Sequence, residues 1–251
     1  MKNKLALIAP LCGLLLCAFA IKSRPVYVVF IGDSITHGSK FPDQAPPVYA
    51  GKYLDREYRP GGVQISNQGV SGRTTYEFLP GTPLFRKVRA VADSFYRDTN
   101  GILVFSIMIG TNDSAIKGPK GAPVSPEKYR ENLKLIMDSL LLAYPACKIV
   151  INHPTWYSGN THNTSLYMKE GQQRVLTYFP QIDTLVHIYK KINPHHVFKG
   201  DTRAYQYFEE NYLTDFKPQT GADGVFYLHP NTKGDSVLGT FWAKAIIKVI
   251  K

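Results

Sequence analysis

Two stretches of this chain, residues 26–31 and 102–109, are apolar almost without interruption. A strand with one face in water alternates apolar and polar residues, so a strand apolar at nearly every position is covered on both faces. Such strands belong to a parallel sheet enclosed by helices. The remaining pattern agrees. Residues 47–58 fit a helix and 63–67 a short strand, followed by a helix over 84–96. After the 102–109 strand, residues 126–142 form a strong helix, with Ser125 as its cap, Pro126 in its first turn and Leu133, Ile136, Met137 and Leu140 on one face. A strand begins at 148–151. A helix over 166–178 is expected to break near Pro180, a short strand follows at 196–198, and a closing helix spans 232–250. Alternation of strand and helix predicts the α/β class, as a three-layer α/β/α sandwich with a mainly parallel sheet.

The N-terminus stands apart from this pattern. Lys2 and Lys4 precede an apolar run over residues 6–19, and Ala18-Phe19-Ala20 has the small-x-small form of a cleavage site. These features predict a signal peptide spanning 1–20, removed after Ala20, and a single periplasmic or extracellular domain over 21–251. A retained anchor is the alternative, but the run is short for a full span. After cleavage no stable membrane span is expected. Cys147 would then be the sole cysteine; it sits in an apparent strand and reads as a packed thiol. The net charge of +11 comes from scattered lysines and arginines. No base-reading motif accompanies them, so a solvated basic surface is expected and no nucleic-acid partner. The histidines show no spacing of a familiar zinc site.

In an open parallel sheet, ligands bind beyond the C-terminal ends of the strands. The residues found there are Gly32-Asp33-Ser34 after the first strand and Asn67-Gln68-Gly69-Val70-Ser71-Gly72-Arg73 after the second. Gly110-Thr111-Asn112-Asp113 follows the third and Asn152-His153-Pro154 the fourth, with Asp223-Gly224 and His229-Pro230-Asn231 near the C-terminus. A serine hydroxyl needs a base to take its proton, and His229 is a suitable candidate because an imidazole ordinarily titrates near neutral pH. Acyl transfer also needs donors aimed at the developing oxyanion. Candidates are the backbone N–H groups of Ser34 and Gly72 and the side-chain amide of Asn112.

Four of these blocks, in order over residues 32–231, resemble the SGNH hydrolase superfamily, the GDSL esterases and lipases. The resemblance implies a flavodoxin-like fold and ester hydrolysis without a cofactor or metal. It places the nucleophile at Ser34, the oxyanion donors at Ser34, Gly72 and Asn112, and the base at His229. The family's acid normally stands three residues before the histidine, where this chain has Phe226. Asp223 is the expected acid, displaced by an insertion over 225–228 that is read as a loop. A backbone carbonyl or Asp215 are the alternatives for orienting His229. Asp33 and Asp113 are expected to buttress their turns. Arg73 either meets a substrate carboxylate or pairs with an acid, and His153 is a candidate pocket residue. Trp156 and Tyr157 either stack on a sugar or pack internally. Residues 110–115, 118–125 and 226–231 resemble bacterial sialate O-acetylesterase-like members, which implies removal of O-acetyl groups from carbohydrates. The other readings are a lipid or lysophospholipid esterase, and a non-catalytic glycan-binding protein on the same scaffold.

Overall fold

The computed structural model describes residues 24–38, 42–58 and 60–251. The expected leader, residues 1–20, lies outside the described residues. Five parallel strands form one sheet: β1 (Val26–Gly32), β2 (Val63–Gly69), β3 (Ile102–Met108), β4 (Lys148–Ile151) and β5 (Val197–Lys199). Their order is β2-β1-β3-β4-β5. Every residue of β3 is buried, and in β1 all but Tyr27 are, as double coverage requires.

The helices are α1 (Ser34–His37), α2 (Pro46–Glu57), α3 (Pro83–Tyr96), α4 (Pro126–Ala143), α5 (Met168–Ile192), α6 (Ala204–Asp215) and α7 (Thr232–Ile250). On one face α2 packs against α7, and Trp242 of α7 stacks on Phe30 of β1 with ring centroids 5.7 Å apart. On the other face α4 packs against α5, where Tyr129 and Tyr178 stack at 4.0 Å. Ser125 caps α4 through its hydroxyl, which accepts from the Lys128 N–H at 3.2 Å. The chain leaving β1 and the chain leaving β3 run to opposite faces. Their adjacent C-terminal ends therefore bound the crevice where an open α/β sheet binds ligand.

Two expectations are corrected. The break at Pro180 does not occur, and α5 runs through it for 25 residues. Pro180 sits on the exposed side, while Val175 and Tyr178 before it and Ile182, Leu185 and Tyr189 after it are buried on one continuous stripe. Packing along that stripe outweighs the single backbone hydrogen bond a proline removes. The stretch 225–228 is not a loop either. It lies within β7 (Gly224–Pro230), which pairs antiparallel with β6 (Phe216–Gly221) in a separate two-stranded sheet. Phe226, Leu228 and Pro230 point inward and alternate with more exposed neighbours, the period of a half-buried strand.

Candidate active site

Ser34 is the first residue of α1, directly after β1, so its N–H has no acceptor within the helix. Asp33 caps that turn: its Oδ1 accepts from the Ile35 N–H at 2.9 Å. Asn67 closes the other end of the same short helix, its Nδ2 donating to the carbonyls of Thr36 and His37 at 3.0 and 3.1 Å. Asp33, just after β1, and Asn67, near the end of the neighbouring strand β2, thus clamp the turn that presents the serine. Behind it, burial raises the Asp33 carboxyl to about 7 and that of Asp113 to about 6. Asp113 accepts from the N–H and hydroxyl of Thr75, at 3.0 and 2.5 Å. Both acids therefore hold backbone turns.

The Ser34 hydroxyl lies 2.8 Å from His229 Nε2. The other ring nitrogen, Nδ1, lies 2.8 Å from Oε1 of Gln219, on the neighbouring strand β6. An amide oxygen only accepts, so Nδ1 carries the hydrogen and Nε2 keeps its lone pair for the serine. The displaced acid is not in this chain of contacts. Asp223 lies in the two-residue turn between β6 and β7, six residues along an extended strand from His229, or roughly 20 Å. There its carboxylate meets His162 Nδ1 at 2.6 Å. Asp215 is buried against Lys233, Tyr207 and Thr214. Gln219 takes the place expected of Asp223, Asp215 or a carbonyl. The physical reason is the hairpin, whose turn carries Asp223 away while its first strand lies alongside His229.

His229 is pushed down to about 4, chiefly by burial and secondarily by the Lys217 cation. At neutral pH its ring is uncharged and ready to accept a proton. Ser34, His229, Gln219, Lys217, Ser71 and Asp235 line one open cavity of about 320 Å³.

The oxyanion candidates are arranged by their own contacts. Gly72 has φ +75°, a left-handed conformation that favours glycine, and no hydrogen bond uses its N–H among the described residues. Asn112 is almost wholly buried. Its Oδ1 accepts from the Tyr167 hydroxyl at 2.6 Å and its Nδ2 donates to the Arg73 carbonyl at 3.0 Å. Those two bonds fix the amide and leave a second N–H on Nδ2. Arg73 pairs with Glu77 at 2.9 Å. His153 does not join the Ser34 cavity; it is buried, stacks on Phe179 and lies 3.3 Å from Asp183. Trp156 and Tyr157 are packed internally, Trp156 against Tyr212 and Tyr157 with its hydroxyl on Ser114. Cys147 is fully buried, and burial pushes its thiol up to about 12.

Gln219, Lys217, Tyr167 and Asp235 stand outside the sequence blocks that mark the other site residues. A signal for the first two did exist. Asp223-Gly224 between two β-rich runs marks a hairpin turn. Lys217 and Gln219, two apart on the strand before it, share one face.

The chain belongs to the GDSL-like lipase/acylhydrolase family, whose pattern it matches over residues 30–237. It is a carboxylic ester hydrolase. Solved structures of low identity share the fold. An aryl esterase of M. smegmatis is 16% identical, with 89% of this chain and 99% of that chain covered and a TM-score of 0.59. A carbohydrate acetylesterase from Sinorhizobium meliloti gives the same four values. A mutant acetyl-xylooligosaccharide esterase from Geobacillus stearmophilus is 21% identical, covered over 91% of this chain and 95% of its own, with a TM-score of 0.57. No curated protein matches the chain in sequence.

Proposed function

We propose that this esterase removes O-acetyl groups from carbohydrates, with Ser34 as nucleophile, His229 as general base and Gln219 as the group that orients it. The Ser34 hydroxyl attacks the ester carbonyl as its proton passes to His229 Nε2. The Ser34 and Gly72 N–H groups and the free N–H of Asn112 receive the oxyanion. Collapse returns the proton to the departing sugar hydroxyl and leaves an acetyl-Ser34 ester. Water, activated by the same nitrogen, then releases acetate. Gln219 fixes the tautomer without contributing a full negative charge, so the imidazolium formed in the transition state is stabilised less than beside a carboxylate.

The observation that carries the substrate reading is the lining of the cavity beside Ser34. Ser71, Lys217, Gln219 and Asp235 face it beside the apolar Ile35, Pro218 and Pro230, a mixed lining whose polar groups can hydrogen-bond a hydroxylated alcohol. The carbohydrate acetylesterases among the structural neighbours support the same class. Acetate release from a panel of O-acetylated sugars is expected to exceed acid release from octanoyl esters of the same sugars by at least about tenfold in kcat/KM. A preference for the longer acyl chain would overturn the reading in favour of a lipid esterase.

A further inference from the structure

Asp235 has no part in the steps above, yet it lies in the wall of the same cavity as Ser34 and His229. It stands in the first turn of α7 and is 1% exposed. Its Oδ2 is buried with no hydrogen-bond partner among the described residues. An acidic residue in a helix's first turn is favoured by the helix dipole, but that benefit is available to an exposed side chain, and α7 offers exposed positions at Thr232 and Lys233. Burying a carboxyl without a partner is unfavourable, and such a group calls for a separate explanation. Lys217 lines the cavity too, close enough for its charge to act on Asp235, and no direct hydrogen bond or salt bridge joins the two among the described residues. The cavity therefore holds one acceptor and one donor that do not satisfy each other.

We propose that Asp235 is a specificity residue for the alcohol half of the ester, accepting a hydrogen bond from a ring hydroxyl while the acetyl group lies on Ser34. Lys217 donates to a neighbouring oxygen of the same ring. A polyol supplies both kinds of group within a few ångströms, whereas an aryl ester supplies neither. Burial holds the Asp235 carboxyl at about 7, with Lys217 acting against that rise; both its protonated and ionised forms accept a hydrogen bond. A site built to hold a hydroxyl discriminates strongly against substrates that lack it, because its own polar group is otherwise left unpaired.

This assignment rests on the carbohydrate reading, and one experiment separates the two. The quantity to measure is the ratio of kcat/KM on an O-acetylated monosaccharide to kcat/KM on phenyl acetate, in wild type, Asp235→Ala and Asp235→Asn. The ratio is expected to fall about 10- to 100-fold in Asp235→Ala, mainly through KM on the sugar. In Asp235→Asn, which keeps an acceptor but no charge, it falls about three- to tenfold. A purely structural role would lower both substrates together. An unchanged ratio in either folded variant overturns the role of Asp235 and leaves the carbohydrate reading standing. A wild-type enzyme inactive on acetylated sugars overturns the carbohydrate reading, and this assignment with it, before any substitution is made.

Discussion

Ser34→Ala is expected to lower kcat by roughly 10⁴–10⁶-fold on any ester this enzyme hydrolyses. In the proposed mechanism the hydroxyl is both the attacking group and the donor to His229 Nε2, which lies 2.8 Å away. His229→Ala should cost about as much, because an alcohol without its base attacks slowly at neutral pH. The double variant should lose little more than either single one, since the two residues act as a unit. Steady-state rates on phenyl acetate measure all three, and a fluorophosphonate probe followed by mass spectrometry locates the reactive hydroxyl. Losses that multiply in the double variant, or a label on another residue with Ser34 free, would contradict the assignment.

Gln219→Leu is expected to lower kcat by about 10³–10⁴-fold with little change in KM. Leucine fills similar space but removes the only acceptor on Nδ1 of a half-buried ring among the described residues. The Nδ1–H is then left unpaired, and the tautomer that presents a lone pair to Ser34 is no longer preferred. Asp223→Asn supplies the contrast. Its carboxylate meets His162 at the hairpin turn, so activity is expected to stay within about twofold of wild type. The opposite pattern, a mild Gln219→Leu and a crippled Asp223→Asn, would restore the carboxylate to the mechanism.

The difference between these two residues marks where sequence reasoning holds in this protein and where it stops. Strands β1 and β3 are legible because double burial leaves a continuous apolar run, and α4 because Ser125, Pro126 and one apolar face agree. Ser34, Gly72, Asn112 and His229 stand in blocks at strand ends or beside a helix start, where the architecture itself brings them near one edge. Gln219 belongs to no block. It reaches His229 through antiparallel pairing of β6 with β7, and the pairing has an irregularity between Phe216 and Pro218 that sets which residue faces the ring. A register of that kind depends on the three-dimensional hairpin. Asp223-Gly224 invited the wrong inference because Asp-Gly suits a hairpin turn as well as a catalytic block. α6 went unread for a simpler reason: its apolar residues are uneven, with Tyr205 and Phe208 buried but Leu213 70% exposed. At Pro180 local propensity favours a break, and the buried stripe that packs on both sides of it overrides that preference.

The central claim is that a neutral amide, and no carboxylate, orients a half-buried and weakly basic His229. The pH dependence of kcat/KM on phenyl acetate tests it most directly, because that profile reports ionisation of the free enzyme. His229 accepts a proton only when neutral. With its pKa held at about 4 by burial and Lys217, wild-type kcat/KM should stay level as pH falls through 6 and 5 and decline only near 4. Gln219→Glu places a carboxylate at Nδ1, which favours the charged ring and raises its pKa. The acid limb should then move upward by about one unit or more. A wild-type limb near 6.5, unmoved in a folded Gln219→Glu variant, would contradict the account.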